Sequence, residues 1–130
     1  MSPVCDSNGM ETWFRTTQEF DKWRGELGET TRARVDLRLE RAYMLGHFGD
    51  HHGVGGEVSE MRLDFGPGYR LYYTAWEYRG QVLLLLLGGD KSTQRRDIKK
   101  AKALLADAKA DAEREIDKEL KKREEEQRGR

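Results

Sequence analysis

The sequence predicts an α+β domain in which an N-terminal helical hairpin packs on a small antiparallel sheet and a long C-terminal helix ends the chain. Three observations predict it. Apolar residues recur at helical spacing up to Leu45, alternating strands and one wholly apolar strand separated by tight turns occupy residues 60–87, and helical periodicity returns after Gly88-Gly89. At 130 residues, one core can bury most of the apolar surface.

Residues 1–10 show no periodicity and read as a loose terminus, and Glu11 to Thr16 reads as a short first strand. Thr16 with Glu19 three residues on makes a capping box for a first helix, whose apolar face is Phe20, Trp23 and Leu27 and whose stop is Gly28. A second helix is expected from Thr31 to Leu45, ended by Gly46. Val35, Leu39 and Ala42 form its buried stripe, with Arg34, Arg38 and Arg41 on another. So short a connection makes the two helices an antiparallel hairpin.

Residues 47–56 are too glycine-rich for regular structure and read as a loop. Next, Glu60, Arg62 and Asp64 alternate with Met61, Leu63 and Phe65, giving one polar and one buried face. Gly66-Pro67-Gly68 turns the chain back into a strand where Tyr69, Leu71, Tyr73 and Ala75 alternate with Arg70, Tyr72, Thr74 and Trp76. After the turn at Tyr78 to Gln81, residues 82–87 are apolar at every position, which places this strand centrally under a covering helix. Asp90 or Ser92 then caps the final helix. Its stripe is Ile98, Ala101, Leu105, Ala108, Ala112, Ile116 and Leu120. The reading divides the chain into a domain at 1–106 and a charged helical extension at 107–130. The extension is expected to project into water, held by pairs such as Asp117 with Lys121 and Glu119 with Arg123.

Composition narrows the function. One cysteine excludes a disulfide framework and a cysteine-rich zinc site and fits a reducing cytoplasm. The N-terminus lacks a basic segment followed by an apolar run, so secretion is not expected. The longest apolar run is six residues against the ~18 a membrane helix needs, so no membrane partner is expected either. Equal numbers of basic and acidic residues, 24 of each, look unfavourable for a nucleic-acid ligand. That balance is an average. Residues 1–60 carry 7 basic and 11 acidic groups, whereas Lys91 to Lys102 carry six basic groups against the single acid Asp97.

Two guanidinium groups, Arg62 and Arg70, meet across the glycine turn, where like charges repel unless an anion lies between them. Lys91, Arg95 and Arg96 stand at the start of the final helix, whose N-terminus also favours anions. A phosphate-binding concavity on one sheet face is therefore expected. Tyr72 and Trp76, on the polar face by alternation, are candidates for stacking on bases. His47, His51 and His52 share a loop without the spacing of a zinc site, so neither metal nor cofactor is expected.

The segments Glu60-Met61-Arg62-Leu63, Gly66-Pro67-Gly68-Tyr69-Arg70-Leu71-Tyr72-Tyr73, and Leu87-Gly88-Gly89-Asp90-Lys91-Ser92 with Gln94 and Asp97-Ile98 resemble, in order and spacing, the RelE/ParE superfamily of toxins. Within it they resemble the HigB-like "addiction module killer" group. The resemblance covers about Phe14 to Ala106 and implies a RelE-like fold. It also implies a type II toxin that cleaves messenger RNA on the ribosome, partnered by a helix-turn-helix antitoxin. By position it makes Arg62, Arg70 and Lys91 the groups that bind and stabilise the scissile phosphate, with Gln94 and Asp97 orienting the site and Tyr72 stacking a base. The chain departs from better-known RelE proteins at Glu60, where they have lysine, and at Asp97, where they tend to have tyrosine. Their acid/base pair is absent, leaving His52, its neighbour His51 or Lys91 as proton-transfer candidates. The ParE branch, whose members poison DNA gyrase, and a silent antitoxin-binding protein are the alternatives.

Overall fold

The computed structural model of the protein describes residues 14–45 and 51–129. The readings of a loose terminus, of a strand start at Glu11, of the Gly46 stop and of His47 lie outside these residues. The elements are β1 (Phe14–Thr16), α1 (Gln18–Glu26), α2 (Glu29–Leu45), β2 (His51–Gly55), β3 (Val58–Arg62), β4 (Tyr69–Tyr78), β5 (Gln81–Asp90), a short 3-10 turn (Lys91–Thr93) and α3 (Gln94–Arg128). Five strands form one sheet in the order β1-β5-β4-β3-β2; β1 runs parallel to β5 and the other pairs are antiparallel.

The sheet is covered on both faces. Phe20, Val35 and Leu39 from α1 and α2 pack with Met61, Leu63, Leu71, Tyr73, Leu83 and Leu85 on one face. Ala101, Ala108, Ala112 and Ile116 of α3 pack with Val58, Tyr72, Trp76, Leu84, Leu86 and Leu87 on the other. From Leu83 to Leu86 successive β5 leucines thus enter opposite layers, as expected of a central strand apolar throughout, and an irregularity in the pairing with β4 leaves Leu87 on the same side as Leu86. Arg24 donates to Asp36 at 2.8 Å, tying α1 to α2.

Several local readings change. The N-cap of α1 is Thr17, whose hydroxyl accepts from Phe20 N at 3.0 Å; Thr16 instead ends β1. Helix α1 stops before an extended Leu27, and α2 begins two residues earlier than its periodicity implied. Residues 51–55, read as loop, form an edge strand paired with β3 and bulged between Gly53 and Gly55. Gly56 (φ 60°) and Glu57 (φ 67°) make the turn that matches the right-handed strand twist, so the glycines serve a hairpin.

The largest difference concerns α3. From Ala108 to Leu120 it does not project into water: Ala108, Ala112 and Ile116 are buried, Leu120 packs against the same cluster, and only from Lys121 to Gly129 is every residue exposed. Trp76 Nε1 donates to Glu113 at 3.2 Å, Tyr78 OH to Asp117 at 2.7 Å, and Arg15 to Glu119 at 3.0 Å. Alanines read as weak core formers in sequence. Here their small size lets the helix approach a strand that already carries Tyr72 and Trp76. Ile116→Ala should therefore cost about 2–5 kcal/mol in urea denaturation; a residue on a helix standing free in water would lose almost nothing.

Candidate functional site

Register builds the site. Across the sheet, Arg62 pairs with Arg70 and Arg70 with Gly89, while His52 pairs with Glu60 and Glu60 with Tyr72. Directly opposed residues share a face. His52, Glu60, Arg62, Arg70 and Tyr72 therefore all belong to the face that α3 covers.

At its centre is Glu60, which is fully buried. One carboxylate oxygen accepts from Arg62 Nε at 2.9 Å and from Arg70 at 3.1 Å; the other accepts from Tyr72 OH at 3.1 Å and Gln94 Nε2 at 2.8 Å. The anion expected between the two guanidiniums is thus the chain's own carboxylate. Burial opposes ionisation of Glu60, but hydrogen bonds from Arg62, Gln94 and Tyr72 and the charge of Arg70 outweigh it. Its pKa falls below the ordinary 4.5. Burial first, then the charge and hydrogen bond of Glu60, push the Tyr72 phenol upward, so it stays a neutral donor.

The two arginines differ in access. The Arg62 side chain is 39% exposed; that of Arg70 is 10% exposed and also donates to Gly68 O at 3.3 Å. Arg62 can meet a ligand, while Arg70 is committed to holding Glu60. Tyr72 has no exposed surface, which removes the base-stacking role that alternation assigned to it, and Trp76 is buried with it under α3. Both lost the polar face because α3 covers it.

The start of α3 supplies the other candidates. Gln94 reaches inward to Glu60. Asp97 is also buried, accepting from the Thr93 hydroxyl, so it braces the helix start and does not face a substrate. Asp90 caps the turn by accepting from Ser92 N at 2.8 Å. Lys91 is exposed and stands beside the glycine turn, 3.3 Å from where a Cβ on Gly68 would lie. His52 is exposed on β2, one strand from Glu60. Arg95 and Arg96 do not join this cluster. Gln94, Asp97 and Ala101 turn toward the sheet, which leaves Arg95 and Arg96 on the outward face. Glu60, the hub, was missed as a functional residue because alternation placed it in solvent. The available signal was an acid two positions from Arg62 and opposite the strand carrying Arg70.

The glycines before Lys91 have a packing reason. A Cβ at Gly88 would lie 2.1 Å from the Trp23 ring on one face, and a Cβ at Gly89 would lie 2.0 Å from Asp97 Oδ2 on the other. Among the described residues no group of three or more His, Cys, Asp or Glu could hold a metal, and no helix is long and apolar enough to cross a membrane.

This arrangement is a RelE-like α+β fold. A chain in the crystal structure of the intact E. coli RelBE toxin-antitoxin complex matches it with a TM-score of 0.51 at 18% identity, over 62% of this chain and 96% of that one. No protein-family model matches the sequence. The chain belongs to the same family as an uncharacterized protein of Haemophilus influenzae, to which it is 41% identical over 96 residues, spanning 73% of this chain and 94% of the relative.

The Glu60 cluster has a measurable pH signature. With its folded pKa lowered, Glu60 stabilises the fold above its ordinary pKa, and that contribution is lost as pH falls through the folded value. Glu60→Ala, which leaves Arg70 buried without its counter-charge, should cost about 3–5 kcal/mol at neutral pH. Urea denaturation from neutral pH to about pH 3 should show the gap between the two proteins narrowing with acid. A gap independent of pH would contradict the assignment.

Proposed function

We propose that the protein is the toxin of a type II toxin-antitoxin pair and cleaves messenger RNA on the translating ribosome, in the manner of the HigB-like group. The observation that carries this reading is a half-exposed guanidinium, Arg62, held from behind by a buried carboxylate on a RelE-like sheet. The structural neighbour comes from a toxin-antitoxin complex, which supports an antitoxin as partner.

RNA cleavage of this type needs the 2′-OH deprotonated, the phosphorane's added negative charge stabilised and the leaving 5′-oxygen protonated. A fixed cation suits the second task, because preorganised charge costs no reorganisation as the reaction proceeds. Arg62 supplies it, with Lys91 beside the glycine turn as the second cation. Arg70 and Gln94 act through Glu60, fixing the direction in which Arg62 points. His52, exposed on the same face, is the candidate for proton transfer. Ribosome dependence follows from the balanced net charge, since few excess cations leave only weak non-specific affinity for free RNA, measurable at low salt.

Arg62→Ala is the cleaner test than Arg70→Ala, because Arg70 is buried in the hub. Brief induction of the unaltered protein should arrest growth and produce codon-positioned transcript 5′ ends. Arg62→Ala should abolish both while its melting temperature stays close to that of the parent. Growth arrest with DNA damage and no RNA breaks would instead indicate a gyrase poison.

A further inference from the structure

The outward face of α3 carries a feature the cleavage site does not use. Ser92, Arg95, Arg96 and Lys99 follow one another at i, i+3, i+4 and i+7, and with Thr93 they line an open cleft of about 480 Å3. The helix turns Gln94, Asp97 and Ala101 to the sheet, so this cleft lies on the opposite side of α3 from Glu60.

Local electrostatics run against helix stability here. Cations occupy the first turns, where the helix dipole favours acids. Arg95 with Lys99 and Arg96 with Lys100 place like charges four residues apart. The only acid between Lys91 and Lys102 is Asp97, which is buried and faces inward. Among the described residues neither Arg95 nor Lys99 has an ion-pair partner, while Arg96 lies 3.7 Å from Asp97 and also acts on the charge of Asp90. Some exposed cations elsewhere are matched, as in Arg79 with Asp117 and Lys109 with Glu57. A feature that breaks the local rules and costs stability is expected where a ligand repays it.

We infer that this cleft is a second phosphate seat, taking phosphodiester groups of RNA that lie away from the scissile bond. Arg95 and Lys99 neutralise the phosphates. Because the helix separates the two faces, one nucleotide cannot occupy both seats. The inference rests on the RNA reading above only for the class of ligand. Two sources share this chemistry: the remainder of the substrate strand, and a folded RNA on which the protein docks.

The test measures binding of the full chain to a labelled single-stranded RNA and to an RNA hairpin of equal length, between 50 and 200 mM salt. The Arg95→Ser/Lys99→Ser variant is compared with the parent and with Lys121→Ser/Lys122→Ser, which removes the same charge from the far end of α3. Losing two phosphate contacts should flatten the single-strand salt slope by about 1.4, so that the parent's affinity falls roughly sevenfold more than the variant's across that range. The distal variant should behave like the parent, and the Arg95/Lys99 variant should melt no lower than the parent, because its removal relieves repulsion. Loss on the single strand assigns the seat to the substrate strand, and loss confined to the hairpin assigns it to folded RNA. Equal affinities and slopes for parent and variant, equal losses in both variants, or no RNA binding by the parent would overturn the inference. Codon-positioned cleavage with unchanged binding would sink this seat and leave the nuclease reading standing; the reverse result would do the opposite.

Discussion

A buried carboxylate with four donors organises one face of this protein. Glu60 collects Arg62 from its own strand, Arg70 and Tyr72 from the next, and Gln94 from the first turn of α3. Each partner would be costly to bury alone: a guanidinium without a counter-charge, a phenol without an acceptor, an amide without an oxygen. Together they satisfy one another as the helix closes over this part of the sheet. The same arrangement anchors Arg62 through its Nε while 39% of its side chain stays exposed, which is how a structural pair becomes a directed charge.

The fold was largely legible in the sequence because its signals are local. Gly66-Pro67-Gly68 and Arg79-Gly80 mark the reversals, and the unbroken leucines of β5 mark the strand with two covered faces. What the sequence concealed was which surface the second layer covers. Alternation along β3 and β4 distinguishes two faces but does not say that both are buried. Glu60, Tyr72 and Trp76 were therefore assigned to solvent, and distal α3, dominated by charged residues, was read as an extension projecting into water. These are one misreading seen from its two sides, since the small helix residues accommodate the large strand residues. The glycines at 53, 55 and 56 concealed an edge strand in a similar way, because a bulge and a tight turn use the residues that loops use.

The site was legible in part for the same reason. Spacing brought Arg62 and Arg70 together correctly, since a hairpin register follows from its turn. Arg95 and Arg96 were drawn into the same group by proximity in sequence, but the rotation of the helix separates them from Gln94 and Asp97. The balanced charge of the whole chain thus conceals a division of labour across α3, with neutralised groups on its inner face and unmatched cations on its outer one.

Gly88 and Gly89 press against different layers, the first beneath the Trp23 ring of α1 and the second beneath the Asp97 carboxylate of α3. At this end of β5 the spacing between the two helical layers is set by bare backbone. A methyl group on either glycine would act as a wedge; at Gly89 it would lever the first turn of α3 outward while Trp76, Tyr78 and Arg15 still hold the distal end down. The helix would pivot like a beam pinned at one end, and the first contact to open would be that between Gln94 and Glu60. Two residues with no side chains thus set how firmly the reactive face is closed.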